Sequence, residues 1–280
     1  MNNKDMQNIA TQIRRDIVRM VYNAKSGHPG GSLGCADFFT ALFFQVMDFD
    51  PQKFEMSGKG EDMFFLSNGH ITPVLYSTLA RRGYFPVSDL AGFRQFGSRL
   101  QGHPSVPHHL PGIRVSTGSL GQGLSMAVGA AVGKKMDNDK HLVYVLSGDG
   151  ELQEGQNWEA LMFAAAKCVD NIIYTVDYNG LQIDGPTENV CNLGDLHAKM
   201  EAFGWQVLTM DGHNYDNIFA TLEKAKSLCG YRKPVVILMK SEMGHGVDFM
   251  TNNYKWHGSV PTDEQLASAL IQLPETLGDF

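Results

Sequence analysis

Ile9, Ile13, Ile17, Met20 and Val21 recur at helical spacing, with Arg14, Arg15, Asp16 and Arg19 between them, which predicts an amphipathic opening helix. The pattern breaks at Ser26-Gly27-His28-Pro29-Gly30-Gly31, and a second helix is expected from Ala36 to Val46. Asp50 to Gly60 reads as a loop and Met63 to Leu66 as an apolar run of strand length. Further on, Leu142 to Leu146, Ile172 to Val176, Trp205 to Met210 and Val235 to Met239 are short runs rich in β-formers. Helix-length segments around Trp158 to Lys167, Leu196 to Phe203 and Ile218 to Leu228 separate them. Strand, helix, strand at this rhythm predicts right-handed crossovers and an α/β fold, a parallel β-sheet with helices on both faces. No repeat, low-complexity tract or charged linker interrupts the chain, so one domain is expected over residues 1–280.

Composition narrows the chemistry. With 280 residues, 43% of them apolar, the chain can bury a real core, which excludes intrinsic disorder. Its 23 basic and 30 acidic residues give a net charge of −7, and no basic run offers a footprint for nucleic acid or an anionic membrane surface. Anionic small ligands must therefore be held by local devices. Cys35, Cys168, Cys191 and Cys229 form no CxxC pair, which removes zinc ribbons and thioredoxin-type motifs and fits a reduced, cytoplasmic protein. The first residues contain no apolar signal core, so export is not expected. The uncharged stretch Val115 to Gly133 has the length of a membrane span, but its glycines and serines argue against one.

In open parallel sheets, ligands gather at the carboxyl ends of the strands. The predicted exits are Ser67-Asn68-Gly69-His70, Ser147-Gly148-Asp149-Gly150, Asp177-Tyr178-Asn179-Gly180, Asp211-Gly212-His213 and Lys240-Ser241-Glu242, all polar and mostly containing glycine. Two phosphate motifs fail. Gly121-Gln122-Gly123-Leu124-Ser125-Met126 lacks the third glycine of the dinucleotide fingerprint, and Gly129 to Lys135 misses the P-loop spacing. The informative pair is Gly148-Asp149-Gly150 and, one crossover later, Asn179-Gly180-Leu181. The flanking glycines admit a ligand close to the backbone, and the Asp149 carboxylate suits a hard cation. The Asn179 amide oxygen and a main-chain carbonyl near Leu181 would add neutral donors. One carboxylate leaves such a site undercharged, so a phosphate or diphosphate would complete it, as is usual for Mg²⁺. Asp-Gly and Asn-Gly are also ordinary turn dipeptides, and only their pairing across a crossover favours the functional reading.

Gly148-Asp149-Gly150 followed by Asn179 resembles the signature of thiamine-diphosphate enzymes. Ser26-Gly27-His28-Pro29-Gly30-Gly31-Ser32, Ser67-Asn68-Gly69-His70, Gly102-His103-Pro104, Leu110-Pro111-Gly112, Ser116-Thr117-Gly118-Ser119-Leu120-Gly121-Gln122-Gly123 and Gly148-Asp149-Gly150-Glu151-Leu152-Gln153-Glu154-Gly155 follow the order of the transketolase family. The resemblance extends to Lys255-Trp256-His257-Gly258 and a closing helix near Asp263 to Leu270. It corresponds to the diphosphate-binding domain alone, as in the N-terminal subunit of a split transketolase. It thus implies a partner C-terminal subunit, in an α2β2 heterotetramer, carrying the pyrimidine-binding and C-terminal domains. It further implies that Asp149, Asn179 and the Leu181 carbonyl hold Mg²⁺, with Ca²⁺ or Mn²⁺ as substitutes. His70, Gly118, Gly148, Gly150 and Glu151 would line the diphosphate or thiazolium region, and Ser119 and Leu120 the pyrimidine side. Glu154 and Glu159 would lie at the subunit contact that couples two cofactors. The family often has cysteine where this chain has Glu151.

Histidines divide into two groups. His108, His109, His141 and His197 read as structural. His28, His70, His103 and His257 stand in Gly- or Pro-containing loops that match sugar-facing family positions, where neutral imidazoles can donate to hydroxyls and move a proton. His28, His103 and His257 are the catalytic candidates, and His245 lies in a loop that could also reach the cofactor. The reaction implied is transfer of a two-carbon ketol unit from a ketose phosphate to an aldose phosphate, with the thiazolium as electron sink. Two alternatives stay open. One is a related thiamine-diphosphate enzyme, of the deoxyxylulose-phosphate synthase or 2-oxo acid dehydrogenase kind or acting on an unusual sugar phosphate. The other is a non-catalytic module that binds the cofactor.

Overall fold

The computed structural model describes residues 1–280. Its strands are β1 (Met63–Leu66), β2 (Val143–Gly148), β3 (Ile172–Tyr178), β4 (Leu181–Gln182), β5 (Gly185–Pro186), β6 (Gln206–Asp211) and β7 (Val235–Lys240). Five of them form one parallel sheet in the order β1-β2-β3-β7-β6, while β4 and β5 make a short antiparallel hairpin just past β3. Ten α-helices accompany them: α1 (Asn3–Ala24), α2 (Pro29–Gly34), α3 (Ala36–Ala41), α4 (Thr72–Arg81), α5 (Gly123–Met136), α6 (Gly155–Ala166), α7 (Thr187–Cys191), α8 (Leu196–Ala202), α9 (Tyr215–Leu228) and α10 (Asp263–Gln272).

The strands read as unbroken apolar runs because both sheet faces are covered, and parity sorts their side chains. Phe64, Leu66, Tyr144, Leu146, Ile173 and Ile237 join the core beneath α1, α3, α4 and α9. Phe65, Val145, Tyr174, Val176, Val236 and Leu238 join the one beneath α5, α6 and α8. Each such side chain, fully buried, contributes roughly 1.5–3 kcal/mol. The predicted α/β architecture is present, and each predicted strand is found with its ends shifted by no more than a short step.

Two local expectations need correction and a third holds. The Ser26–Gly31 stretch does end α1, but Pro29 then opens α2, because its fixed φ suits the first helical position and its missing N–H is not needed there. The helix starting at Ala36 is regular only to Ala41 and continues as a π-helical turn, Leu42–Val46. The uncharged stretch beginning at Val115 holds α5, and no helix of the chain is long and apolar enough to cross a membrane. All five sheet strands point the same way, so their carboxyl ends, with α2 and the Tyr254–His257 turn, converge on one edge.

Candidate active site

At that edge lies a cleft of about 310 Å³, lined by segments from at least six parts of the chain. The exit of β1 supplies Asn68 and His70, that of β2 supplies Gly148 to Glu151, and that of β3 supplies Asp177, Asn179 and Leu181. His28 and Gly31 come from the start of α2, Met243 from the segment after β7, and His257 from the last 3-10 turn. Pairing of β2 with β3 sets Gly148 opposite Asp177, which is why loops one crossover apart in sequence meet in space.

The backbone is tied tightly around the acids. Asp149 accepts from the Gly150 N–H at 2.7 Å and the Gly180 N–H at 2.6 Å. Asn179 donates its amide to Asp177 at 2.8 Å and accepts from the Leu181 N–H at 2.9 Å. Glu151 accepts from Ser67 at 2.5 Å, Gly121 N–H at 2.8 Å and Gly148 N–H at 3.3 Å, binding three loops together. Gly118 has φ +119, a conformation that favours glycine, and a Cβ there would stand 2.4 Å from the His103 ring.

Charge is unbalanced in the cleft. No lysine or arginine lines it, although Asp149, Glu151 and Asp177 are all buried. Burial, reinforced by Asp177, pushes the Asp149 carboxyl up to about 7. Burial raises Asp177 and Glu151 as well, against the hydrogen bonds they accept. The imidazoles move the other way. Burial and the neighbouring His257 lower His28 to about 4, and burial lowers His70, His103 and His257. His28, His70 and His257 form a triangle with ring centroids 5.1, 5.5 and 4.9 Å apart, so three neutral donor–acceptor rings share one wall. His28 Nδ1, His257 Nδ1 and Asn68 Oδ1 are buried without a protein partner, a state that costs about 1–3 kcal/mol per group unless a ligand pairs them. Acids lacking a counter-charge beside unpaired polar atoms suit an anionic ligand carried in on a divalent cation. Asp149, Asn179 and the Leu181 carbonyl are the oxygen donors at hand for that cation.

The cleft gathers His28, His70, Gly118, Leu120, Gly148, Asp149, Gly150, Glu151, Asn179, Leu181 and His257 of the sequence-predicted residues. His103 packs against Gly118 without lining the cleft and, like Ser119, Glu154 and Glu159, is exposed. His245 does not reach it: its ring stacks on His213 at 3.7 Å in a neighbouring recess, with Nδ1 2.8 Å from Glu242. Sequence reasoning places Asp177 and Asn68 in strand exits without giving either a role, and it misses Met243. Asp177 has a signal, as a carboxylate at the end of an apolar strand, two positions before Asn179. Met243 has none, since only tertiary packing brings it to the wall.

Comparison with known proteins agrees with the geometry. Residues 5–274 match the family model described as transketolase, thiamine diphosphate binding domain. The chain is 40% identical over 266 residues to an apulose-4-phosphate transketolase subunit of Phocaeicola vulgatus, covering 94% of this chain and 92% of that one. It is 39% identical over 269 residues to a 6-deoxy-6-sulfo-D-fructose transketolase subunit of a Clostridium species, covering 96% of each. Human transketolase is 34% identical over 268 residues, covering 95% of this chain but 41% of that one. The solved transketolase from Leishmania mexicana superposes with a TM-score of 0.89 at 32% identity, over 98% of this chain and 42% of that one. The chain thus spans about two fifths of the one-chain enzymes and nearly the full length of relatives named as subunits. On its cleft, its sheet and these likenesses, the chain belongs to the transketolase family, of which it carries the thiamine diphosphate-binding domain.

Proposed function

We propose that this chain binds thiamine diphosphate and Mg²⁺ in the cleft and, with a partner subunit bearing the pyrimidine-binding domain, transfers a two-carbon ketol unit between sugar phosphates. The observation that carries this reading is the buried Asp149–Asp177 pair in a cleft without a basic side chain. Asp149, Asn179 and the Leu181 carbonyl would hold the metal, which in turn would anchor the diphosphate. The bound cofactor supplies an electron sink for cleavage beside a carbonyl.

The residues of this chain orient and exchange protons. His28 and His257, kept neutral by burial, and the more exposed His103 beside Gly118, whose basicity is also lowered, can donate to sugar hydroxyls and take up a proton without placing a fixed positive charge beside the reacting carbons. His70, Gly118, Leu120 and Met243 complete the lining. Relatives of matching length are named as subunits, one for apulose 4-phosphate and one for 6-deoxy-6-sulfo-D-fructose, which supports both a partner and a donor outside the common ketose phosphates. The test is calorimetric titration of thiamine diphosphate with Mg²⁺, followed by a ketol-transfer assay of chain plus partner over a panel of ketose donors. Binding abolished by chelation and turnover only with the partner are expected. Metal-independent binding, or substantial turnover by the chain alone, would overturn the reading.

A further inference from the structure

Outside the cleft, one cluster of titratable groups has no part in the function described. Asp37, His213 and His245 bring possible ligand atoms within 4.8 Å of one another. A metal site is the obvious reading, but these atoms are committed elsewhere. Arg14 holds Asp37 with two contacts, at 3.1 and 2.5 Å, and Tyr215 donates to it at 3.1 Å. Burial would raise the Asp37 carboxyl, yet Arg14 and His213 overcome this and keep it well below the usual range. A cation would have to share that acid with a guanidinium, and the His213 and His245 rings lie nearly parallel, at 12°, so their in-plane lone pairs do not converge.

The bonds of His213 are more informative. Its Nδ1 lies 2.9 Å from Asp37 Oδ2, and its Nε2 lies 2.9 Å from the backbone nitrogen of Glu242. A backbone N–H only donates, so Nε2 must accept and the single ring proton must sit on Nδ1, where it is donated to Asp37. His213 is thereby a fixed neutral bridge between α3 and the segment after β7. That segment matters to the cleft. Ser241 donates to Asp177, which accepts from Asn179 at 2.8 Å, and Met243 walls the cleft. Close packing holds the segment from the other side: Gly244 donates to Gly30 O at 2.8 Å, and Cβ atoms on Gly30 or Gly34 would stand 2.7 Å from Met243 Cγ or Glu242 O.

We propose that His213 is a positioning residue: bridging Asp37 and the Glu242 N–H, it fixes Ser241 and Met243 and so sets Asp177 and Asn179 for the cofactor's metal. The last step of this rests on the function proposed above; the bridge itself does not.

Two amide substitutions separate its halves. In His213→Asn the side-chain nitrogen can stand where Nδ1 stood and keep the bond to Asp37, whereas in His213→Gln the side-chain oxygen can stand where Nε2 stood and keep the bond to Glu242. The experiment measures hydrogen–deuterium exchange of the Glu242 amide in the full chain, and thiamine diphosphate affinity with Mg²⁺ in the complex with its partner, for wild type and both variants. Exchange and dissociation constant are both expected to rise about tenfold in His213→Asn, which loses the Glu242 bond outright, and by a smaller factor in His213→Gln, which keeps that bond but loses its anchor on Asp37. The reverse order, or wild-type exchange in His213→Asn, overturns the proposal. Selective ¹⁵N labelling of the wild-type histidines gives a check independent of whether the variants fold: an Nε2-protonated His213 also overturns it. Wild-type chain that binds no thiamine diphosphate would sink the functional reading instead, leaving the exchange result to judge the bridge.

Discussion

The two ends of the sheet hold similar numbers of buried acids, and the amino end pairs most of its acids with cations while the cleft at the carboxyl end pairs none. At the amino end, Lys134 donates to Gly58 O, Glu61 O and Asp139, each at 2.8 Å, using all three of its hydrogens. Asp139 also accepts from Gly60 N–H and His141, and these bonds overcome its burial to hold it well below the usual carboxylate range. Arg114 pairs with Glu61, and Lys135 and the Arg232 N–H serve Asp170, while Asp62, held only by the backbone N–H groups of Asp48 and Leu142, is the exception at this end. At the carboxyl end, Asp149 and Asp177 are equally buried, but only backbone N–H groups and neutral side chains serve them. A closed network stabilises the fold, whereas an incomplete one is a site awaiting its ligand.

Single substitutions can break this contrast. Asp149→Asn would remove a ligand of the proposed metal and is expected to lower the proposed ketol-transfer turnover by about a thousandfold. It also removes an uncompensated buried charge, so the melting temperature of the apo chain should hold within about 2 °C or rise. Lys134→Met does the reverse. Stripping the cation from a buried network should cost about 3 kcal/mol in denaturant unfolding while leaving thiamine diphosphate affinity intact. Equal destabilisation by the two variants would show that the two ends do not differ as described.

Much of this contrast is legible in the sequence, and what is not has physical reasons. β1 can be read to the residue because Met63–Leu66 is fully buried and flanked by polar loops. Asp149 and Asn179 stand out because adjacent parallel strands carry exits that must meet. Asp177 is read as a strand exit but draws no role of its own, since a polar residue closing an apolar run reads as a boundary. α2 escapes a sequence reading because proline and glycine mark both helix starts and helix stops, and only the packing of Gly30 against Met243 decides between them. α5 buries Leu124, Ala127, Val128 and Ala131 at helical spacing, but Met126, Ala130 and Val132 on its other faces blur the period. His213 stands in a predicted strand exit, yet its tautomer depends on Glu242, which no local pattern links to it.

The pH response of the apo chain sharpens the contrast at smaller cost. A carboxyl raised to about 7, as Asp149 is, binds more protons folded than unfolded between its unfolded value and 7. Its stabilising effect is present at low pH and is lost as pH rises through that window. His28, lowered to about 4, binds fewer protons folded than unfolded, so its contribution grows as pH rises from 4 towards its unfolded value. The two partly cancel in wild type. Melting wild type and Asp149→Asn in a chelating buffer isolates the first effect: the stability advantage of Asp149→Asn should increase from pH 4 to pH 8. A constant difference would mean that Asp149 titrates normally, and the cleft would lose its distinguishing charge. Saturating Mg²⁺ with thiamine diphosphate should reduce the difference or reverse its sign, because the ligand binds the ionised wild-type site.

The smallest effects come from one helix that touches both situations. α5 begins at Gly123, where a Cβ would lie 2.4 Å from Ser67 Oγ and 2.6 Å from its Cα. Backbone cannot yield as a side-chain tip can, so Gly123→Ala should cost about 1–3 kcal/mol. Because Ser67 donates to Glu151, which ties the β2 exit to Gly121, the same change should also weaken thiamine diphosphate binding. Six residues on, Gly129 has nothing within 4 Å of its Cβ position and lies away from either end of the helix. Alanine there limits the unfolded chain and suits the helix, so Gly129→Ala should gain up to about 1 kcal/mol in the isolated chain and leave cofactor affinity unchanged. The same substitution on the same helix should therefore carry opposite signs. Urea unfolding of the two variants beside thiamine diphosphate titration decides it, and a cofactor defect in Gly129→Ala would mean that the cleft is held by the whole helix rather than by its first turn against Ser67.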